Sequence, residues 1–277
     1  METINLQHIN KPLSGTPFHS PNAKKLHHFP TIGSTNTYAI EEARNGAPSG
    51  SVYIADEQTA GRGRSDHRWY STASDGLYVS ALLRPALTAS EALKLSLATG
   101  LAVQNAIAET TSLAIDLRWP NDLVIPASHS HSKKCGGILA ETSIDTTGKL
   151  HYAVIGIGLN LNQTEFPPDL RDSATSLRIA TGTEISRNSL LIQLLLQLSN
   201  QIDLLEREIR SETGLPPLNT RFASASTWVH GKLVSVSEDG GYTGVTAGLN
   251  EQGLLKVLLR DGSERIVRHG GVREIIP

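Results

Sequence analysis

Four strand-like segments follow one another between residues 114 and 162, with short turns and no helix-like segment between them. They cover residues 114–119, 122–125, 133–141 and 151–162. Parallel neighbours need a crossover of about a dozen residues or more, usually a helix, whereas antiparallel neighbours need only a tight turn. The sequence therefore predicts an α+β fold built on a mixed or antiparallel sheet, and it argues against a doubly wound fold.

Hydrophobic periodicity predicts further strands and helices around this central run. The additional strands are expected over residues 26–29, 51–57 and 76–84. The helices are expected over 34–45, 90–110, 173–181, 186–210 and 218–225. The helix over 186–210 carries one apolar stripe, made of Leu190, Leu194, Leu198, Ile202, Leu205 and Ile209. A stripe of this kind more often faces the protein core than a partner subunit, so a homodimer surface remains the alternative.

The two ends of the chain differ in composition from its middle. Residues 1–25 contain Pro12, Pro17 and Pro21 without hydrophobic periodicity, which predicts a loosely ordered N-terminal arm. After residue 226, glycines alternate with β-branched residues, which predicts four or five short strands in a small barrel. We therefore expect a central domain over residues 26–226 and a small C-terminal domain over residues 227–277.

The charge and the cysteine content argue against several kinds of partner. A formal net charge of −2 over 277 residues gives no field that would collect nucleic acid or acidic lipid. The single cysteine, Cys135, excludes an intrachain disulfide framework and suits a reducing compartment. No segment approaches the roughly 20 apolar residues that a membrane span requires. The sequence predicts a cytoplasmic protein that binds neither DNA nor a membrane.

Basic residues stand beside glycine or proline in three short segments. The first is Gly61-Arg62-Gly63-Arg64, the second is Arg118-Trp119-Pro120-Asn121-Asp122, and the third is Lys134-Cys135-Gly136-Gly137. Glycine lets the backbone approach a ligand closely, and several cations suit a site where two anionic groups meet. Taken singly, each segment also fits a solvated loop, a turn or a hairpin. Ser34-Thr35-Asn36 likewise fits a simple helix N-cap.

Five motifs in this order resemble the biotin protein ligases. They are residues 33–36 (Gly-Ser-Thr-Asn), 61–69 (the glycine–arginine segment ending in Trp), 118–122, 134–139 and 156–160 (Gly-Ile-Gly-Leu-Asn). Any one of them would be a weak signal, but chance agreement of all five in order is implausible. The resemblance extends from about residue 26 to residue 277.

The resemblance implies a catalytic domain like that of class II aminoacyl-tRNA synthetases and an SH3-like C-terminal domain. It also implies two half-reactions. Biotin and ATP give biotinyl-5′-AMP and pyrophosphate, and a lysine of a biotin carboxyl carrier protein then displaces AMP. Mg²⁺ would accompany the phosphates, with Asn121 and Asp122 as candidate ligands but no dedicated protein cage.

The site residues implied by the resemblance fall into three overlapping groups. Lys134, Arg62 and Arg64 form the catalytic group, whose charges would neutralise the biotin carboxylate and the α-phosphate. The biotin-binding group is Ser34, Thr35, Asn36, Gln58, Gly61, Arg62, Gly63, Lys134, Gly136 and Gly137. The nucleotide-binding group is Arg64, Arg68, Trp69, Arg118, Asn121 and Asn160, with Trp69 expected over the adenine.

The sequence departs from the family pattern at three places. Asp66 and His67 replace a glycine and an arginine, Arg118 replaces a lysine, and Val272 follows the glycines where the family often has an acidic residue. We expect the reaction to survive these changes, with loop order and affinity differing from those of the family.

Three other functions fit parts of this sequence pattern. A lipoate or octanoate ligase has the same fold class, but the arginine-rich loop and the Pro120-Asn121-Asp122 turn favour biotin. A biotin-dependent repressor would need a helix-turn-helix domain of roughly 60 residues, for which the proline-broken segment before Leu26 is unsuited. A catalytically silent binding module would be expected to lose Lys134 or the arginines, which are present.

Overall fold

Seven strands form the central sheet of the computed structural model, which describes residues 2–64, 67–73, 75–126, 132–268 and 271–275. The strands are β1 (Leu26–Ile32), β2 (Val52–Gln58), β3 (Gly76–Leu83), β4 (Asp116–Arg118), β5 (Asp122–Ile125), β6 (Lys133–Ile144) and β7 (Leu150–Asn160). Their order across the sheet is β1-β2-β3-β7-β6-β5-β4. The β1–β2 pair is parallel, and every other neighbouring pair is antiparallel. The predicted mixed sheet is confirmed.

Helices cover both faces of this sheet. They are α1 (Leu6–Asn10), α2 (Thr35–Arg44), α3 (Ala92–Thr111), α4 (Leu177–Thr181), α5 (Arg187–Ile209) and α6 (Leu218–Ala225). Helices α3 and α5 pack together on one face, where the alternate residues Val52 and Ile54 of β2 point into the main core. Helix α2 packs on the other face against Tyr53. Among the described residues, no helix has the length and apolar character that crossing a bilayer requires.

The apolar stripe of α5 faces the core, as the sequence predicted. Leu190, Leu194, Leu198 and Leu205 have no exposed surface, and Ile202 is 9% exposed. Ser186 begins the helix by accepting a hydrogen bond from the backbone N–H of Ser189. Burying several leucines on one face stabilises the pairing of α5 with α3 far more than helix propensity does.

The N-terminal segment packs onto this body, so the expectation of a loosely ordered arm over residues 1–25 needs correction. Ile9, Leu13 and Phe18 are each 0% exposed and belong to the main core. Pro12 and Pro21 stand at the start of 3₁₀ turns, where the missing N–H removes no needed hydrogen bond. The prolines therefore shape the segment without preventing its burial.

The start of the chain also caps helix α5. The carboxylate of Glu2 accepts hydrogen bonds from the backbone N–H groups of Arg187 at 2.5 Å and Asn188 at 3.3 Å. The Asn188 side chain in turn binds the backbone of Thr3 and Asn5. A carboxylate at a helix N-terminus satisfies free donors and opposes the positive end of the helix dipole.

Five short strands form a second, antiparallel sheet, in agreement with the predicted four or five strands. They are β8 (His230–Val236), β9 (Tyr242–Leu249), β10 (Leu255–Leu258), β11 (Glu264–Val267) and β12 (Val272–Glu274), in the order β11-β10-β9-β8-β12. Hydrogen bonds join this part to the β4–β5 region. The Trp119 indole N–H donates to the Gly253 carbonyl at 2.9 Å, and Asp116 accepts from the Thr227 N–H at 2.9 Å. The second sheet is therefore fixed beside the β4–β5 turn.

Candidate active site

One cleft of about 600 Å³ gathers most of the predicted site residues. Its walls come from the start of α2, residues 61–69, the β4–β5 turn, β3, β6, β7 and β12. The predicted residues that line it are Ser34, Thr35, Asn36, Gln58, Arg62, Gly63, Arg64, Arg68, Trp69, Arg118, Asn121, Asp122, Lys134 and Gly137. The cleft therefore brings together the β4–β5 turn and the N-terminus of α2, which are far apart in sequence.

Residues 61–64 and 67–69 form the two arms of a narrow hairpin beside the cleft. Arg62 and Arg68 form an isolated antiparallel β-bridge. The backbone N–H of Trp69 donates to the Gly61 carbonyl at 2.9 Å. A Cβ on Gly61 would lie 2.7 Å from the Trp69 carbonyl oxygen. Gly61 is thus required by the hairpin itself, which differs from the predicted role of bringing its backbone to a ligand. The departure at Asp66 lies outside the described residues.

The indole of Trp69 lies on a floor made of glycines. Gly137 on β6 and Gly158 on β7 are paired in register, and each would place a Cβ against the ring. The closest such contact joins a Cβ on Gly158 to Trp69 Nε1 at 2.6 Å. The Lys134 ammonium lies 5.4 Å from the centre of the indole ring, within the range of a cation–π contact. The glycines of β6 and β7 therefore make room for a stacking side chain.

Replacing Gly158 with alanine is expected to push Trp69 off this floor, because the new methyl group would overlap the indole. Overpacking of this kind costs about 1–3 kcal/mol of stability. We expect a lower melting temperature and a red shift of tryptophan emission, since Trp119 and Trp228 are 4% and 3% exposed and stay buried. Gly214→Ala is the matched control, because a Cβ there meets no atom within 4 Å. Unchanged emission in Gly158→Ala would contradict this account.

A buried polar pocket begins at the N-terminus of α2. Thr35 donates to Gln58 Oε1 through its backbone N–H at 2.9 Å and through its hydroxyl at 3.1 Å. Gln58 Nε2 donates to the Ser71 hydroxyl at 3.0 Å. Ser34 caps the helix by accepting from the Thr37 N–H at 3.4 Å, and Ser34 is 6% exposed. This end of the cleft can therefore present both donors and acceptors to a polar ligand.

The same pocket extends across the sheet to a carboxylate. Ser80 on β3 lies 2.8 Å from both Thr35 Oγ1 and Asn36 Oδ1. Asn36 Nδ2 donates to Glu141 Oε2 at 2.7 Å, and Arg62 forms a two-pronged ion pair with Glu141 at 2.8 and 3.1 Å. A Cβ on Gly156 would lie 2.4 Å from Asn36 Oδ1, so glycine is needed there. Arg62 is thus paired with a protein carboxylate, whereas the sequence predicted only a role towards substrate.

A second charged group surrounds Asp122 at the β4–β5 turn. Its carboxylate pairs with the Lys134 ammonium and, at 2.6 Å, with the Arg118 guanidinium. Burial alone would raise the pKa of Asp122, yet the charges of Lys134 and Arg118 outweigh it and hold the pKa below its usual value. Asp122 therefore stays ionised and keeps the two cations close to each other at the cleft wall.

Arg64 links the hairpin to the opposite wall of the cleft. Its Nη1 atom donates to Asn121 Oδ1 at 3.3 Å, and Asn121 Nδ2 donates to the Ile138 carbonyl at 2.8 Å. Burial lowers the pKa of Arg64, with the charge of Asp122 acting in the opposite direction. An arginine keeps its proton in any case, so the cleft contains a partly desolvated cation.

Three predicted site residues do not line the cleft. Gly61 faces its own hairpin, as described above. A Cβ on Gly136 would lie 2.6 Å from Leu159 and 2.7 Å from Leu123, so this glycine serves close packing inside the sheet. Asn160 is 5% exposed and donates to the Thr175 carbonyl at 3.0 Å. The predicted ligand contacts of Gly136 and Asn160 are therefore replaced by structural ones.

The two candidate metal ligands do not fit a directly bound ion. Both Asp122 oxygens are engaged by cations, and the Asn121 amide is held between Arg64 and Ile138. The described part of the chain contains no group of three or more His, Cys, Asp or Glu side chains that could hold a metal. No step in the reaction is therefore assigned to a metal bound by these side chains.

Several cleft residues were not predicted from sequence. Ser80 stands in the middle of an otherwise apolar strand, which is the signal that could have identified it. Ser71 and Glu141 do not line the cleft themselves but contact Gln58 and Arg62, and only the three-dimensional structure shows these contacts. Arg273 and Glu274 of β12 also line the cleft, so the C-terminal sheet supplies charged groups to it.

Cys135 is close to the cleft but plays no chemical part. It is fully buried between the strands, and its thiol lies 3.4 Å from the Leu123 carbonyl. Burial raises the pKa of Cys135 to about 12. Because the thiolate is the reactive form, this supports the prediction of an inert, buried thiol.

Comparison with known proteins shows similarity to ligases. Residues 28–160 match the model of the Biotin/lipoate A/B protein ligase family. A bifunctional ligase/repressor BirA of Bacillus subtilis is 32% identical over 237 residues, covering 85% of this chain and 70% of the relative. A biotin–[acetyl-CoA-carboxylase] ligase of Mycobacterium tuberculosis is 32% identical over 230 residues, covering 80% of this chain and 79% of the relative.

Solved structures agree with these relatives. The biotin protein ligase of Aquifex aeolicus in complex with biotin and ATP superimposes with a TM-score of 0.74 at 30% identity. The match covers 91% of this chain and 100% of the Aquifex chain. Together with the ordered motifs and the cleft in which they meet, this similarity shows that the chain belongs to the biotin protein ligase family.

Proposed function

We propose that this protein activates biotin with ATP to biotinyl-5′-AMP and transfers the biotinyl group to a lysine of a biotin carboxyl carrier protein. One observation carries the proposal: a buried polar pocket and a cluster of cations open into the same cleft. The reaction must bring a carboxylate next to a phosphate, and only a site rich in positive charge can stabilise that approach. The names of the relatives point to a carboxylase as the acceptor.

The polar pocket at the start of α2 suits the ureido ring of biotin. That ring has one carbonyl acceptor and two N–H donors, and both kinds must find partners when the ring is buried. Gln58 Nε2 has two hydrogens, of which Ser71 uses one, and Ser34 and Thr35 supply hydroxyl groups. We assign biotin recognition to Ser34, Thr35, Asn36 and Gln58, with Gly63 and Gly137 in the adjoining wall.

In the first half-reaction, a biotin carboxylate oxygen attacks the α-phosphorus of ATP, and the bond from that phosphorus to pyrophosphate breaks. Lys134 and Arg64 are assigned to neutralise the reactants and the charge that develops on the transferred phosphoryl group. Lys134 is pre-positioned by Asp122, and Arg64 is held by Asn121. Holding both cations in place before the substrates bind lowers the reorganisation needed in the transition state.

In the second half-reaction, the amine of the acceptor lysine attacks the carbonyl carbon of the mixed anhydride. The bond from that carbon to the AMP oxygen breaks, AMP leaves with the electron pair, and the amine loses a proton. The anhydride must be protected from water until the acceptor arrives. The hairpin with arms at residues 61–64 and 67–69 is the element proposed to cover it, because Arg64 connects this hairpin to the opposite wall.

The nucleotide is proposed to lie along the hairpin and the β4–β5 turn. Arg68, Arg118 and Asn121 line this side of the cleft, and the Trp69 indole offers a stacking surface for adenine. Magnesium would enter as part of the ATP complex, held by phosphate oxygens and water, as is common for this ion. Arg273 adds a further cation from the C-terminal sheet.

Wider features of the prediction remain part of this proposal. We assign the seven-stranded part to the class II aminoacyl-tRNA synthetase-like architecture and the five-stranded part to an SH3-like architecture. A single, buried cysteine fits a cytoplasmic setting, and a formal charge of −2 gives little attraction for DNA. A homodimer stays a prediction.

The direct test compares three acids as substrates. The protein is incubated with ATP and magnesium and with biotin, lipoate or octanoate, while pyrophosphate release and the acyl-adenylate mass are followed. We expect biotin to be activated far faster, because lipoate and octanoate leave the polar pocket without hydrogen-bond partners. Equal or faster turnover with lipoate or octanoate would favour the related lipoate-type ligases and overturn the assignment.

A further inference from the structure

A continuous line of close polar contacts runs from Glu141 to the polar pocket. It passes from Glu141 Oε2 to Asn36 Nδ2 at 2.7 Å, and from Asn36 Oδ1 to the Ser80 hydroxyl at 2.8 Å. The Ser80 hydroxyl then lies 2.8 Å from the Thr35 hydroxyl, which lies 3.1 Å from Gln58 Oε1. Ser80 is 0% exposed, and Thr35 and Asn36 are each 3% exposed, so water does not compete for these contacts.

The charge at Glu141 fixes the direction of every hydrogen bond in this line. An ionised carboxylate only accepts hydrogen bonds, and the Glu141 carboxylate forms an ion pair with Arg62 at 2.8 Å. Asn36 must therefore turn its NH₂ group to Glu141 and its carbonyl oxygen to Ser80. Ser80 has one proton, and an amide oxygen can only accept it, so that proton goes to Asn36.

The direction of these hydrogen bonds determines which atoms the Thr35 hydroxyl can donate to and accept from. Because the Ser80 proton is committed to Asn36, Ser80 cannot donate to Thr35. The Thr35 proton goes either to Ser80 or to Gln58, and both lone pairs of its oxygen remain available to a ligand N–H. Gln58 cannot reverse, because the Thr35 backbone N–H requires an acceptor from it. The pocket thus offers a defined acceptor at Thr35 and a defined donor at Gln58.

We propose that Glu141 is a positioning residue that sets the donor and acceptor pattern of the biotin pocket through Asn36 and Ser80, while its other contacts hold Arg62 at the cleft wall. This inference rests on the proposed function, since it takes biotin as the ligand of the pocket. Glu141 does not line the cleft itself and reaches the ligand site only through these neighbours. Gly156 is part of the same arrangement, because a side chain at this position would displace Asn36.

The sharpest test exchanges the charge between two positions. In Glu141→Gln, the new NH₂ group takes the place of one carboxylate oxygen. At the Oε1 position it breaks the bond with Arg62 Nη2, and at the Oε2 position it faces Asn36 and Arg62 Nη1 and reverses Asn36 and Ser80. In the double variant Asn36→Asp, Glu141→Gln, the aspartate accepts from Ser80 and from the glutamine NH₂, and the glutamine oxygen accepts from Arg62. The Ser80 hydroxyl again donates to residue 36, while the bond between residues 36 and 141 is reversed and the charge has moved from residue 141 to residue 36.

Biotin affinity is measured by calorimetry without ATP, and folding is checked by thermal melting. We expect Glu141→Gln to weaken biotin binding about 10- to 100-fold, the scale of a lost charge-assisted hydrogen bond. The double variant is expected to recover part of the lost affinity, because Ser80 again donates to residue 36, and a merely structural role of Glu141 would not produce this recovery. Glu109→Gln is the matched control, because Glu109 also accepts from a side-chain amide, that of Gln197, but lies away from the cleft.

Ser80→Ala provides an independent arm that leaves the Arg62–Glu141 pair intact. It cuts the line at its centre, and we expect biotin binding to weaken about 10-fold. Unchanged affinity in Glu141→Gln or Ser80→Ala, or a double variant as weak as Glu141→Gln, would overturn this inference while biotin binding by the parent protein stands. Absence of biotin binding in the parent protein would overturn the proposed function, and the inference with it.

Discussion

Replacing Lys134 with alanine is expected to slow the formation of biotinyl-AMP by about 10²–10³-fold, the scale seen when one charge-stabilising donor is removed from a transition state. The Lys134 ammonium is held by Asp122 and lies 5.4 Å from the centre of the Trp69 ring. Its loss removes positive charge from the point where carboxylate and phosphate must meet. Single-turnover formation of the adenylate, followed by mass, measures the effect.

The matched control is Lys133→Ala. The neighbouring Lys133 has the same charge, but its ammonium donates to the Arg171 carbonyl at 2.9 Å and does not line the cleft. We expect this variant to keep the parent rate. Lys134→Ala should lose only about 1 kcal/mol of stability, since Arg118 still pairs with Asp122. An unaltered adenylation rate in Lys134→Ala would show that Lys134 is only a structural partner of Asp122.

Replacing Arg64 with glycine is expected to separate making the intermediate from keeping it. Arg64 joins the hairpin to Asn121 across the cleft, whereas the biotin pocket and Lys134 do not depend on it. Biotinyl-AMP should therefore still form, but it should leave faster because its residence depends on a closed hairpin. The released anhydride reacts with exposed amines, so lysines of unrelated proteins should become biotinylated.

Two measurements check this prediction: the dissociation rate of biotinyl-AMP and the labelling of an added bystander protein. Arg64→Ala is the matched variant, because it removes the cation without adding the backbone freedom of glycine. If the contact between the Arg64 guanidinium and the Asn121 amide holds the hairpin closed, both Arg64→Gly and Arg64→Ala should release the adenylate faster than the parent. A variant that makes adenylate but releases it as slowly as the parent would show that Arg64 does not hold the hairpin.

The order of strands and helices could be predicted because alternation and helical spacing are strong local signals. The run of strands from residue 114 to 162 indicated antiparallel pairing, and β4 to β7 pair in this way. The prediction of a loosely ordered N-terminal arm was wrong because it relied on the three prolines and the lack of periodicity, and gave no weight to the apolar residues between them. Ile9, Leu13 and Phe18 are buried by contacts with helices and strands far along the chain, which local composition does not reveal.

The sequence indicates many of the side chains that line the cleft. It does not indicate the side chains that affect the cleft only by contacting another residue. Arg64 and Lys134 stand out in the sequence as basic residues beside glycines. Their partners Asn121 and Asp122 suggest from sequence only a contact with nucleotide or metal. The glycines illustrate the same limit. Gly158 leaves room for the Trp69 ring, whereas Gly136 allows close packing inside the sheet. This difference depends on neighbours from other parts of the chain.

Transfer of biotin to an acceptor lysine tests the central claim most directly. The protein is mixed with ATP, magnesium, biotin and an isolated biotin carboxyl carrier domain, and the intact mass of the carrier is recorded over time. We predict a gain of one biotinyl group at a single lysine, dependent on ATP and abolished when that lysine is replaced by arginine. A carrier that keeps its original mass while the protein is folded and all substrates are present would contradict the assignment as a biotin protein ligase.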